Sequence, residues 1–346
     1  MKSIFFVPVF FLSFSVSAQI GGDNTYDFMN LPNAAKAAAL GGNIIALPDN
    51  DLSLAYHNPA LLKESMHNQI VLNYVNYFTD INYGYVSYAR EYNELGNFGI
   101  GLQYMNYGDF IEASELGDKT GTFSAVEYAF HLMYSKNIDS SFRFGAVLKP
   151  VYSRLDTYTS YGIMGDVGIS YYNEDNLFMA SFIVKNIGSQ LKPYTTDNYE
   201  PVPFDVQIGI SKKLLHAPFR FSMIAHHLET YDLSYKKINN AEPTNVLARS
   251  KEVESEGDDF FENMMRHMIF GVEFLPTENF FVALGLNYKR RRELQISEKP
   301  GFTGFSFGFG FKLSKFQFSY GRASYHLAGA SNHFSISTNL SEFYRN

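Results

Sequence analysis

The chain has no cysteine, which excludes disulfides, thiolate metal sites and a cysteine nucleophile, and argues against an acylated lipoprotein. It also lacks repeated apolar runs of about 20 residues, and its mean hydropathy is −0.16, so a polytopic helical membrane protein is excluded. Basic charge is in deficit. The formal net charge is −7 and the pI is near 5.7, whereas a general nucleic-acid binder needs phosphate-neutralising Lys and Arg. Charged residues make up only 18% of the chain, almost matched by 17% aromatics, with 33 Phe, 25 Tyr and 26 Gly. That mixture suits aromatic side chains that meet something other than water. The 346 residues allow two or three soluble domains or one large barrel, so length leaves the architecture open.

Lys2 precedes an apolar stretch from Ile4 to Phe14 and the small-residue run Ser15-Val16-Ser17-Ala18. This reads as a secretory signal peptide, residues 1–18, cleaved after Ala18; the stretch is too short for a membrane-spanning anchor. Removing Lys2 would leave 27 basic and 35 acidic residues, a net charge of −8.

From Asn68 onward the chain alternates with the two-residue period of a strand. Phe305, Phe307, Phe309 and Phe311 share one face, and Ser306, Gly308 and Gly310 the other. Val202, Phe204, Val206, Ile208 and Ile210 likewise oppose Asp205, Gln207, Gly209 and Ser211. A soluble sandwich alternates too, but here the apolar face is aromatic and β-branched while the opposite face is rich in Gly and Ser. This is the pattern of a membrane barrel, with lipid outside and a small or polar lumen. About 14 strands fit residues 68–346, an even number that lets a closed antiparallel barrel satisfy its own backbone. Connection lengths alternate as outer-membrane barrels require. The third (Gly108–Gly121), seventh (Ile187–Pro201), ninth (Thr230–Asn263) and eleventh (Arg290–Pro300) are long, whereas the even ones are short. Thr79–Asp80 departs from the rule. The alternation puts both termini at the short-turn, periplasmic end.

Residues 19–67 differ. Asn33 is placed to cap a short helix over Ala34–Leu40 that Gly41-Gly42 would end. The segment is too polar for lipid and too apolar for a disordered tail, and wall side chains alone do not fill a barrel of this size. An N-terminal luminal plug is therefore expected, with Asn58, Pro59 and Ala60 as its motif; the alternative is a periplasmic lead-in.

The run Asn30-Leu31-Pro32-Asn33 through Ala37-Ala38-Ala39-Leu40-Gly41-Gly42, followed by Asn58-Pro59-Ala60-Leu61, resembles the N-terminal region of FadL-like barrels. More narrowly it resembles the PorV and PorQ branch of type IX secretion proteins of Bacteroidota, and Met265-Arg266-His267, Arg290-Arg291-Arg292-Glu293-Leu294 and Ser319-Tyr320-Gly321-Arg322 through Leu327-Ala328-Gly329-Ala330 most resemble the PorQ family. The resemblance spans nearly the whole mature chain. It implies an outer-membrane barrel that anchors a surface partner of the PorZ type, with PorU and PorV in the same pathway. The alternative is the broader FadL-like role, a channel for hydrophobic small molecules.

Catalysis is not expected. Ser324, His326, His333 and Asp109 lie near strand ends without a nucleophile motif, and no cofactor is implied. His226 and His227 with Glu229 suggest metal ligands, but neighbours on a strand point to opposite faces, so wall or interface histidines are expected and no metal. The ninth connection carries Glu252, Glu254, Glu256, Asp258, Asp259 and Glu262 around Phe260-Phe261, a docking surface or a solvated loop. Lys289 with Arg290, Arg291 and Arg292 would hold lipopolysaccharide phosphates or an acidic partner, or anchor the barrel at the lipid interface. Lumen-side Lys149, Asp166, Asp205, Arg220 and Glu273 should pair with one another, plug backbone or water. Pro150 removes a ladder donor and should mark a bulge, which would either open a lateral exit for an apolar ligand or merely bend the strand.

Overall fold

The computed structural model describes residues 24–114, 118–233, 259–294, 301–326 and 329–344. Seven strands form the first half: β1 (Gln69–Asn76), β2 (Asn82–Glu91), β3 (Asn97–Ala113), β4 (Lys119–Asn137), β5 (Phe142–Leu155), β6 (Tyr158–Asn173) and β7 (Phe178–Lys192). The second half comprises β8 (Asp205–Lys213), β9 (Phe219–Ala225), β10 (Met268–Thr277), β11 (Phe280–Asn287), β12 (Phe305–Leu313), β13 (Phe316–His326) and β14 (Gly329–Asn339). Each strand pairs antiparallel with its sequence neighbours, and β1 pairs with β14, Leu72 opposite Ile336. The sheet closes into a 14-stranded barrel, the all-β architecture expected from the alternation. Among the described residues no helix is long and apolar enough to cross a membrane.

The outward set is as read. Phe305, Phe307, Phe309 and Phe311 are all exposed, while Ser306, Gly308 and Gly310 between them are buried. Outward rings also meet across strands, tilted against one another, in two bands. Tyr104, Tyr128, Tyr152 and Tyr161 run across β3 to β6 at the long-loop end. Phe98–Tyr134, Phe142–Tyr171, Phe219–Phe274 and Phe311–Phe318 lie at the end that bears the start of β1. Two aromatic bands flanking an apolar wall are the mark of a barrel spanning a bilayer, whose amphipathic rings settle at both interfaces.

The barrel is lopsided. Strands β3 to β7 have 14 to 19 residues, whereas β8, β9 and β11 have 9, 7 and 8. The expected third loop is consequently mostly strand, since β3 and β4 stay paired from Asp109–Ser124 to Ala113–Lys119. The step in height falls between β7 and β8. Their last rung is Lys185 opposite Asp205, so Asn186–Lys192 pairs with β6 alone. Side chains hold this seam instead: Asn186 donates to the Pro203 carbonyl at 2.7 Å, and the Glu200 N–H donates to Gln190 at 2.8 Å.

Pro150 does not make a bulge. Its strand keeps one register, Ala129–Val151 and Leu132–Leu148, and the rungs between are simply missing on the β4 side. The bulge lies on β7, where the register shifts between Gly165–Ile187 and Val167–Val184, with Asn186 at φ 57°.

Residues 24–67 run against the inner face of the wall. The Thr25 N–H donates to the Pro201 carbonyl, and Tyr26 and Ser160 share a hydrogen bond of 2.5 Å, both at the long-loop end. The described chain therefore begins at the end opposite to the start of β1; the termini themselves, expected together at the short-turn end, lie outside the described residues. Helix α1 (Ala35–Ala39) packs on β12 and β13, and the segment's apolar residues form four clusters with inward wall residues such as Ile183, Tyr85, Met105 and Ala323. Asn33 does not cap α1. Ala34 occupies the cap in extended conformation, while Gly41 and Gly42 take left-handed φ of 97° and 99° and end the helix.

Candidate functional site

At the end nearer the start of β1, four charges join the segment to the wall. Arg220 of β9 donates from Nε and Nη2 to Glu273 of β10 at 2.6 and 2.9 Å, and from its two Nη groups to Asp49 at 2.6 and 2.8 Å. Lys36 of α1 bonds Asp49 and lies 3.0 Å from Glu273. Two cations and two carboxylates balance, so the cluster is neutral while largely shielded from water. Lys36, Asp49 and Arg220 border a cavity of about 580 Å³, which Lys213, Lys312, Lys315 and Glu342 also line. The alternation placed Arg220 and Glu273 in the lumen; it did not find Lys36 and Asp49, whose one signal was a lone lysine in an alanine helix. A second wall pair, Lys149–Asp166 at 2.5 Å, bonds Asn186 at the β7 bulge through both members.

Asn58 joins segment and wall. Its Oδ1 accepts the Ala60 N–H at 2.9 Å, and its Nδ2 donates to the Ile45 carbonyl at 2.8 Å and Ser170 Oγ at 3.2 Å. Pro59 and Ala60 lie directly over Gly145, where any Cβ would overlap their backbone.

The second cavity, about 250 Å³, lies toward the long-loop end, lined by Asn43, His57, Lys185, Asp205, His226, His227, Lys289 and Arg290 among others. Here the opposite-faces argument for His226 and His227 fails. Strand β9 ends at Ala225, and His227 turns at φ 54°, so the two rings lie 4.8 Å apart between centroids. One ring nitrogen of each and one Asp205 oxygen fall within 4.8 Å of one another. Burial and nearby cationic groups hold the His226 imidazole well below its ordinary pKa, in the neutral form.

The docking residues expected in the loops separate. Glu252 and Glu254 lie outside the described residues. Phe260 and Phe261 stand 68% and 66% exposed on α2 (Asp259–Arg266). The arginines sit on α3 (Tyr288–Leu294), which was expected as loop. They do not form one outward cluster. Arg290 lies over Gly42 beside the cavity, Arg291 stacks on Phe305 at 5.0 Å, and Arg292 donates to Glu262 of α2 at 2.5 Å. Glu262 also pairs with Arg266 at 3.1 Å and accepts from Tyr288 at 2.9 Å, so it clasps α2 to α3. Ser324, His333 and Asp109 are on β13, β14 and β3; Asp109 is exposed and His333 Nε2 is hydrogen-bonded to Ser331.

The barrel is similar to the Ralstonia pickettii toluene transporter TbuX, with a TM-score of 0.52, 12% identity, and 90% of this chain and 99% of that chain covered. It is also similar to the Pseudomonas putida toluene transporter TodX, with a TM-score of 0.51, 13% identity, and coverage of 89% and 98%. The monoaromatic hydrocarbon channel CymD gives 0.50 and 12%, with coverage of 89% and 96%. No family model matches the chain, and neither does any curated protein, so the narrower PorQ resemblance gains no support from them. The fold is that of a FadL-type outer-membrane barrel. These neighbours are transporters and channels rather than enzymes.

Proposed function

We propose that the protein is an outer-membrane channel for small hydrophobic molecules, the class its structural neighbours carry. The observation that carries this reading is the β7–β8 seam: the wall's backbone ladder stops at Lys185–Asp205, beside the 250 Å³ cavity, with side-chain hydrogen bonds alone above it. Backbone groups in lipid are costly to leave unpaired, so such a break persists where it lines a passage. Opening would separate Asn186 from Pro203 and Gln190 from Glu200, giving an apolar molecule a route between lumen and lipid. The test is uptake of toluene by cells that carry the gene or an empty vector. Faster uptake with the gene is expected; equal rates would refute the channel.

A second reading, favoured by the exposed Phe260-Phe261 pair on α2, is the anchoring role in type IX secretion, with a PorZ-type surface protein as partner. An apolar pair of this exposure on a clasped helix suits a docking surface. Cells lacking the gene would then shed a surface protein into the medium while toluene uptake stayed unchanged. A pull-down from gently solubilised membranes with Phe260 and Phe261 changed to Ser would lose that partner.

A further inference from the structure

We infer that Asp205, His226 and His227 form a binding site for a divalent transition-metal ion of the zinc class. Two imidazoles and one carboxylate are a ligand set that suits such ions and leaves a coordination position open. Here that position faces the 250 Å³ cavity, from which water or a ligand group can complete the shell.

The site is built rather than incidental. His226 is 6% exposed and lines the cavity, and its Nε2 is buried with no hydrogen-bond partner, a costly arrangement for a polar atom. Asp205 is 5% exposed, and its two oxygens are fixed by the His227 N–H at 2.7 Å and Gln207 Nε2 at 2.5 Å, each leaving lone pairs free. Glu229 bonds His227 Nδ1 at 3.1 Å and is itself held by the Val206 N–H at 2.9 Å. A carboxylate behind a ligating imidazole fixes the ring and its tautomer and raises its basicity. The His227 Nδ1 also lies 3.8 Å from Asp205, so a turn of this ring brings Nε2 to the ion. His226 is locked in turn by its own backbone, whose N–H donates to the His267 carbonyl at 3.0 Å.

Tetrahedral ligands at about 2.1 Å from zinc lie about 3.4 Å apart, so the widest pair, at no more than 4.8 Å, must close by at most about 1.4 Å. The turn at His227 and rotation of the two rings supply that movement. Charge around the site permits a cation. Lys185, Lys289 and Arg290 oppose it, but Asp27, Asp205, Glu229 and Glu293 face the same region, four acidic groups against three basic ones. An ion here would join the first residue of β8 to the exit of β9, next to the seam.

The test uses the full chain in detergent, without a polyhistidine tag and stripped with EDTA, titrated with zinc chloride by calorimetry. One equivalent is expected to bind. Asp205→Asn, His226→Gln and His227→Gln should each weaken it at least tenfold, and His216→Gln should leave it unchanged. Glu229→Gln, which keeps all three ligands, should weaken it about tenfold, at the lower end of outer-shell effects. Circular dichroism confirms that each variant is folded, and zinc should raise the melting temperature of the parent but not of His226→Gln. The site is refuted if the stripped parent takes up no stoichiometric zinc, or if both histidine variants bind as tightly as it does.

Discussion

Changing Arg220 to Met tests whether the four-charge cluster locks the N-terminal segment in the lumen. Lys36 and Arg220 balance Asp49 and Glu273, and Arg220 alone makes four charge-assisted hydrogen bonds to the two acids. Without it, two carboxylates face a single ammonium, and one buried negative charge is left over. Breaking a buried ion pair on one side costs about 3–5 kcal/mol. Asp49 keeps 25% side-chain exposure, so water recovers part of this and the lower end, about 3 kcal/mol, applies. That cost falls on the state in which the segment is docked, and its release should become easier by about a hundredfold, at roughly 1.4 kcal/mol per decade. The assay is amide hydrogen exchange in detergent or nanodiscs. It follows the N–H groups of Ala38, Leu40 and Gly42, which bond Ala34, Lys36 and Ala37 in the docked state. The double variant Arg220→Met with Glu273→Met keeps Lys36 with Asp49 and restores neutrality, so its exchange should return to within a few-fold of the parent. Unchanged exchange in the single variant, or equally fast exchange in the double one, would refute the reasoning.

Gly145→Ala places a methyl on the backbone of Pro59 and Ala60; overpacking of about 1–3 kcal/mol should speed exchange at Leu61, whose N–H bonds Asn58, by roughly tenfold. Phe309→Arg puts a charge on the lipid face between Val282 and Tyr320; about 2–4 kcal/mol should be lost, read as a lower urea midpoint for folding into lipid vesicles. Burial alone would raise the Glu262 carboxyl, but the Arg292 hydrogen bond, Tyr288 and the arginine charges hold it below the usual 4.5. A carboxylate with a depressed folded pKa stabilises above its unfolded value and loses that contribution as pH falls through the folded one. The α2–α3 clasp should therefore be intact at neutral pH and open in acid below about pH 4.5, seen as a rise in protease cleavage between residues 259 and 294 that Glu262→Gln shows already at pH 7.

The strands were legible where lipid imposes a rule. Phe305 to Phe311 must alternate because one face meets hydrocarbon and the other packs inside. Gly108 to Gly121 read as loop because that rule lapses above the bilayer, where β3 and β4 are wet on both faces and still pair. His226 and His227 escape the two-residue period because β9 ends at Ala225; a left-handed His leaves no trace in composition, since Gly is the usual occupant of that conformation. Pro150 marks missing rungs rather than a bulge, and the bulge beside Asn186 had no proline or glycine at the bulged residues to announce it. Lys36 and Asp49 are separated from Arg220 and Glu273 by more than 170 residues, and no local period links them.

The small residues of the lumen face have a reason that alternation alone did not supply. A Cβ on Gly321 would strike the backbone of Ala35, one on Gly308 would strike the Ala39 side chain, and one on Gly285 the backbone of Leu40 and Gly41. These glycines are sockets that let a backbone lie against the sheet, and the alanines of α1 are the matching surface. Close approach then brings wall hydroxyls to the helix ends. Ser335 Oγ accepts the Ala35 N–H at 2.9 Å, and Ser306 Oγ accepts the Gly41 N–H at 3.0 Å while donating to the Ala39 carbonyl at 2.9 Å. A five-residue helix is far too short to persist alone, and α1 has no side-chain cap of its own. Its orphan backbone groups are satisfied by the barrel instead. The Gly and Ser that mark the inner face of β12 to β14 thus specify the docked segment as much as they specify the wall.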